Sequence, residues 1–152
     1  MSFTIAVVGP AQASPDDVAA AQQVGHHLAA AGHTVLTGGL GGVMEAASRG
    51  AAIADGTVVA ILPGMQRSQA NPFVSLAIPT GLGEMRNALI VRSADAVISV
   101  GGSWGTLSEV ALAVRTGVPV VMLHGWDLPD GPVVATSARQ AVELAVALVQ
   151  EQ

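Results

Sequence analysis

The sequence predicts a single-domain α/β protein: a small Rossmann-like three-layer sandwich around a parallel sheet. Three observations carry that expectation. Short, continuous apolar runs alternate with segments of helical periodicity along the whole chain. Glycine-rich loops follow the apolar runs and precede the helices, as strand-to-helix turns do. No linker, repeat or low-complexity tract divides the 152 residues, a length that suits one buried core.

The elements follow in order. "FTIAVVG" (Phe3–Gly9) reads as a buried strand bounded by glycine and proline. A helix starts at "SPDD", with Ser14 as cap, Pro15 at the first helical position and Asp17 where a capping box puts its acid. Val18, Ala21 and Leu28 share one face, and Gly32 closes the helix. "HTVLT" (His33–Thr37) is the second strand, followed by a glycine cluster and a helix over Val43–Ala54. "TVVAILP" (Thr57–Pro63) is the third strand, "GMQRSQANP" (Gly64–Pro72) a polar loop, and "FVSLAIP" (Phe73–Pro79) a candidate fourth strand. A helix over Met85–Ser93 leads into the strand "DAVISV" (Asp95–Val100). After "GGSWGT" comes a helix from Thr106 to Arg115, ended by Gly117. "VPVVML" (Val118–Leu123) is the last clear strand, and Ala135–Gln150 forms the closing helix.

Composition removes several classes of function. Apolar runs of five or six residues, such as Val58–Leu62 and Val118–Leu123, fall far short of a membrane span. A first strand starting at Phe3 leaves no room for a signal peptide, so a cytoplasmic protein is expected, with no membrane partner. The absence of cysteine excludes disulfides and thiolate metal sites, and the histidines have no metal-ligand spacing, so no metal site is expected. His26, His27 and His33 read as surface residues. All six basic residues are arginine, which rules out both a pyridoxal-phosphate Schiff base and a P-loop lysine. A net charge of −5 and an aromatic content of 3% argue against a nucleic-acid partner.

Two loops share one pattern. "TGGLGGVMEAA" and "VGGSWGTLSEVA" both leave a strand through Gly-Gly, pass two residues and enter a helix through glycine. Gly38 and Gly39 correspond to Gly101 and Gly102, and Gly42 to Gly105, with Gly41 and Ser103 inside the loops. Such loops lie at the carboxyl ends of parallel strands, where helix amino termini offer free N–H groups and partial positive charge to an anion. Two loops of this form point to a phosphate-bearing ligand; tight packing alone is the alternative. The spacing is not that of a dinucleotide site, because a G-x-G-x-x-G run from Gly39 would need glycine where Met44 stands. Gly101–Gly105 also fits G-x-S-x-G, the nucleophile elbow of esterases, with Ser103 as nucleophile and Glu109 and His124 to complete a triad. That rival lacks an oxyanion loop, and the chain is short for it.

"GGLGGVMEAASRGA", "MRNALIVRSADAVISVGG" and "GTLSEVALA" resemble the LOG (Lonely guy) family within the wider SLOG superfamily, from Ala6 to about Leu123. Members are often labelled lysine decarboxylases, a label that a chain without lysine makes chemically untenable. The resemblance implies a phosphoribohydrolase that cleaves nucleoside 5′-monophosphates into base and ribose 5-phosphate with no catalytic cofactor. Its signature is P-G-G-x-G-T-x-x-E with a preceding helical arginine, matched here by Gly105, Thr106, Glu109 and Arg86. The signature proline is replaced by Val100 or Gly101, the loop carries an extra residue, and the family's Arg-Lys pair reads Arg86-Asn87. These departures are closer to the short branch containing molybdenum cofactor carrier proteins, and so imply a carrier of a phosphorylated, molybdopterin-type cofactor. The resemblance also implies a homodimer or homotetramer, as does the helix around Met85–Val91, apolar on more than one face.

Residue roles can be stated chemically. Glycosidic cleavage passes through an oxocarbenium-like state, so Glu109 would stabilise charge or orient water; alternatively it is a favourable acid in the first turn of its helix. Arg86 would grip phosphate or ribose with its planar fork, or pair with Glu84 or Asp95. Thr106 would donate to phosphate, cap its helix, or do both. Glu45 would touch the sugar or simply complement the helix dipole. Asn71 and Thr80 are weaker candidates at strand ends. Trp104 would stack on a ring or pack at a subunit contact.

Overall fold

A computed structural model describes residues 1–152. Seven parallel strands form one sheet: β1 (Thr4–Val8), β2 (Thr34–Thr37), β3 (Val58–Leu62), β4 (Leu76–Pro79), β5 (Ala96–Val100), β6 (Val120–Leu123) and β7 (Val133–Val134), in the order β4-β3-β2-β1-β5-β6-β7. The helices are α1 (Pro15–Ala30), α2 (Val43–Ile53), α3 (Arg86–Ser93), α4 (Trp104–Thr116) and α5 (Ala138–Gln150). The expected three-layer α/β sandwich is what forms. No helix is long and apolar enough to cross a membrane.

Alternation along the strands divides the core into two layers. Ile5, Val7, Val35, Val58, Ile98 and Val121 point to one face and pack with Val24 and Leu28 of α1, Ala47 of α2 and Ala141 of α5. Ala6, Val8, Leu36, Val97 and Met122 point to the other, against Ile90 and Val91 of α3 and Val110 and Ala113 of α4. A sheet covered on both faces explains why the central strands read as unbroken apolar runs: every residue of β5 and β6 is buried. The second face is less fully covered, because α3 has only eight residues and α4 is its sole companion. Leu76 and Ile78 of edge strand β4 stay exposed, as do Leu82, Met85 and Leu89.

Local signals place the helix ends. Ser14 Oγ accepts from the Asp17 N–H at 3.2 Å with Pro15 next to it, and Gly117 ends α4 at φ +79°. Asp17 does not close a capping box: its carboxylate instead meets His124 Nδ1 at 3.0 Å, beyond the end of β6. α5 starts at Ala138 rather than Ala135, since Ser137 Oγ caps it by accepting from the Gln140 N–H. The preceding residues form the unforeseen short strand β7, and the Ala135 N–H donates to the Met122 carbonyl. His33 is a buried residue, not a surface one. It accepts the Phe3 N–H on Nδ1 and stacks on the Phe3 ring, and burial pushes its pKa down.

α1 and α2 touch backbone to backbone. A Cβ on Gly25 would fall 2.0 Å from the Ala47 carbonyl oxygen, and one on Gly50 would fall 1.9 Å from that of Gln22. The two glycines let the helices approach more closely than any side chain allows.

Candidate functional site

The strand order reverses between β1 and β5: the chain builds β2, β3 and β4 outward on one side, then β5, β6 and β7 on the other. In an open α/β sheet the crevice outside the carboxyl ends at such a point is where ligands bind. A cavity of about 230 Å³ opens there. The loop after β1 forms one wall with Gly9, Pro10 and Ala11; α3 contributes Arg86, Asn87 and Ile90; the β5–α4 turn and the start of α4 contribute Ser103, Gly105, Thr106 and Glu109.

Arg86 is the first residue of α3 and only 9% exposed. Its Nη2 lies 3.5 Å from the Gly38 carbonyl oxygen, Nη1 donates to Asn87 Oδ1, and buried Nε has no partner within the chain. It pairs with neither Glu84 nor Asp95; the Asp95 carboxylate accepts the Thr4 N–H instead. Gly38 makes room for the guanidinium, since a Cβ there would stand 2.7 Å from Nη2. A buried arginine with an unsatisfied donor beside a cavity is a ready anion ligand.

Glu109 is 7% exposed on α4 and forms no ion pair with Arg86. Because α4 begins at Trp104, Glu109 lies in its second turn, not its first, and the helix dipole does not account for it. Burial pushes its carboxyl up to about 7, an effect that Arg86 only partly opposes. Burial likewise lowers the Arg86 pKa, with Glu109 opposing.

The amino terminus of α4 is shaped by Ser103. Its hydroxyl accepts the Thr106 N–H at 3.2 Å and lies 2.8 Å from Thr106 Oγ1. Thr106 is therefore tied into the cap through its N–H, while the N–H groups of Trp104 and Gly105 have no partner within the chain. A Cβ on Gly105 would meet nothing within 4 Å. Ser103 sits in extended backbone at φ −155°, without the strain of a nucleophile elbow, and His124 is engaged by Asp17. The esterase geometry is not present.

The structure therefore gathers Gly38, Arg86, Ser103, Gly105, Thr106 and Glu109 around one cavity. The other candidates fall outside it. Gly39 backs onto Leu62 and Ala60; Gly42 presses on the Pro10 and Ala11 carbonyls; Gly41 faces Ala11 at an ordinary contact distance. Glu45 pairs with Arg49 at 3.7 Å. Gly101 makes space for the Asp17 carboxylate and Gly102 for the Trp126 indole. The two glycine loops are thus not equivalent cradles: the β2 loop is mostly a packing joint, and Asn71 braces it by donating to the Gly39 and Leu40 carbonyls. Thr80 donates to the Leu62 carbonyl. Gly9, Pro10 and Ala11, which also line the cavity, carry no motif that marks them in the sequence; the signal available was topological, since the first strand commonly ends at the switch point. Trp104, which does not line the cavity, packs against Trp126 with ring centroids 5.3 Å apart. No three His, Cys, Asp or Glu side chains gather in a group able to hold a metal ion.

A seven-stranded parallel sheet with a crevice at its switch point, lined in part by buried Arg86, defines a Rossmann-like α/β protein. The chain belongs to the SLOG cluster4 family, whose model matches residues 2–151. An uncharacterised protein of Archaeoglobus fulgidus is 40% identical over 142 residues, 93% of each chain. The molybdenum cofactor binding protein from the phototrophic bacterium Rippkaea orientalis is 39% identical, with a TM-score of 0.93 over 98% of both chains. The molybdenum cofactor carrier protein from Chlamydomonas reinhardtii is 31% identical, with a TM-score of 0.87 over the full length of both. The LOG-like motifs and the similarity to the short carrier branch agree with these matches.

Proposed function

We propose that the protein binds a phosphorylated small molecule, a nucleotide or a molybdopterin-type cofactor, and carries it without consuming it. The observation that carries this reading is the pairing of buried Arg86, its Nε unpartnered, with the amino terminus of α4, whose Ser103, Gly105 and Thr106 line the same cavity. Phosphate oxygens would accept from these donors, and the guanidinium would neutralise the charge. The similarity to a molybdenum cofactor binding protein and a carrier protein supports a pterin-type cargo. Equilibrium binding of nucleoside monophosphates and a pterin phosphate tests the reading, with Gly105→Leu as the blocking variant. Its side chain would enter the cavity without meeting protein atoms near Cβ. The reading fails if no phosphorylated probe binds, or if Gly105→Leu binds as well as the parent.

A second reading, phosphoribohydrolase activity, is favoured by one observation: a buried carboxyl that titrates near 7 suits proton transfer beside a glycosidic bond. Incubation with AMP and other monophosphates, followed for free base and ribose 5-phosphate, separates the two. Turnover that disappears in Glu109→Gln would overturn the carrier reading.

The same reading includes assembly. Leu76 and Ile78 of β4 and Leu82, Met85 and Leu89 around α3 leave apolar surface exposed on neighbouring segments of the chain. Met85 is 73% exposed. A homodimer or homotetramer through this region would bury it; light scattering reporting a monomer at micromolar concentration would count against it.

A further inference from the structure

We propose that Trp104 and Trp126 form an aromatic rim that holds the planar heteroaromatic ring of the phosphorylated ligand, an inference that rests on the phosphate-binding reading above. The chain has two tryptophans, two phenylalanines and no tyrosine. Phe3 is buried against His33, and the Arg49 guanidinium covers Phe73. Both tryptophans, from segments after the adjacent strands β5 and β6, converge on one spot at the carboxyl edge of the sheet.

Their arrangement is built rather than incidental. The rings are tilted by 41° with centroids 5.3 Å apart, a favourable aromatic geometry. Gly102 seats the Trp126 indole, for a Cβ there would come within 2.9 Å of Nε1. Trp126 in turn supports Trp104, which remains 78% exposed. A ring steadied on one side and open on the other loses little freedom when a flat molecule stacks on it.

Position supplies the link to the ligand. Neither indole lines the cavity itself, but Trp104 lies between Ser103 and Gly105, both of which do. Its own backbone N–H is one of the two free amides at the start of α4. A phosphate on those amides therefore sits on the same residue that presents the exposed indole, and a ring attached to that phosphate through a short sugar or pyran lies within reach of the rim. Stacking of this kind tolerates many rings, because each offers a π face. The competing use of an exposed aromatic pair is contact with a protein partner or a second copy of the chain.

The test compares ligands with and without a ring. Full-length protein is titrated with AMP, 6-(hydroxymethyl)pterin phosphate and ribose 5-phosphate, by calorimetry and by tryptophan emission, which here arises only at the rim. At least one ring-bearing probe should bind about tenfold more tightly than ribose 5-phosphate and quench the emission. Trp104→Ala, which removes the indole and keeps the backbone N–H, should abolish that preference by weakening the ring-bearing probes more than ribose 5-phosphate, and Trp104→Phe should keep most of it. If ribose 5-phosphate binds as tightly as both ring-bearing probes, the rim serves a protein contact and the inference is overturned while phosphate binding stands. A Trp104→Ala variant that loses affinity for all three in equal proportion also overturns it, since the ring then acts only on the fold of the loop. Failure of every probe to bind removes the phosphate reading itself and this inference with it.

Discussion

Burial pushes the Glu109 carboxyl up to about 7 although the Arg86 guanidinium lines the same cavity, because desolvation of the carboxylate outweighs the pull of that charge and no ion pair joins the two groups. The folded state thus binds this proton more tightly than the unfolded chain. The associated stability is fully present below about pH 4.5 and is lost as pH rises through about 7. At about 1.4 kcal/mol per tenfold change in proton affinity, roughly 3 kcal/mol is withheld above neutrality. Glu109→Gln should therefore raise the melting temperature at pH 8.5 by roughly 5–10 °C and change it little at pH 4. Thermal unfolding at the two pH values checks this; an equal effect at both would show that burial is not the cause.

Arg86 should dominate the affinity for phosphate. Hydrogen bonds from a charged donor contribute about 1.5–3 kcal/mol each, so Arg86→Ala should weaken binding of ribose 5-phosphate by roughly 10- to 100-fold. Arg86→Lys should recover little, since an ammonium cannot reproduce the planar fork that reaches the Gly38 carbonyl while presenting Nε. Calorimetric titration of both variants decides it; affinity unchanged in Arg86→Ala would place the anion elsewhere.

Gly50→Ala sets helix propensity against crowding. Alanine is favoured over glycine inside a helix by about 1 kcal/mol. The added Cβ, however, would lie 1.9 Å from the Gln22 carbonyl oxygen, so α1 and α2 must separate. Overpacking of this kind costs about 1–3 kcal/mol. Crowding should prevail, lowering the midpoint of urea unfolding without changing its slope. A rise in the midpoint would mean that the helices part easily.

Ser103 is expected to behave as a cap. Ser103→Ala should cost about 1 kcal/mol, a fall of roughly 2–4 °C in melting temperature. The unaltered protein should show no labelling by a fluorophosphonate reagent. Covalent labelling at Ser103 would revive the esterase geometry that the extended backbone and the bond to Thr106 argue against.

Fold class was legible because it depends on pattern. Unbroken apolar runs in β5 and β6 and the caps at Ser14 and Gly117 needed no partner to be read. Two-residue β7 was not legible, since its pairing with β6 depends on where the 124–132 loop returns. In the cavity, Arg86, Gly105, Thr106 and Glu109 stood out by motif. The division of labour among the glycines did not, because whether Gly39, Gly42, Gly101 or Gly102 faces a ligand or a neighbouring group is settled by tertiary contacts. The burial that separates His33 from His26 was hidden for the same reason.

The strand order has a mechanical consequence. β1 and β5 meet along a seam joining two blocks of sheet, β1–β4 and β5–β7, and the only covalent bridge between the blocks is the segment from Thr80 to Asp95 that contains α3. The cavity straddles that seam: Gly9 to Ala11 belong to one block, Ser103 to Glu109 to the other, and Arg86 to the bridge. A ligand held there would act as a rivet across all three. Amide hydrogen exchange along the β1–β5 ladder, between Val7 and Ile98 for example, would then slow when cargo is aboard and quicken when it leaves. Stiffness along one line of the sheet would then be the property that distinguishes a ligand-bound molecule from an empty one.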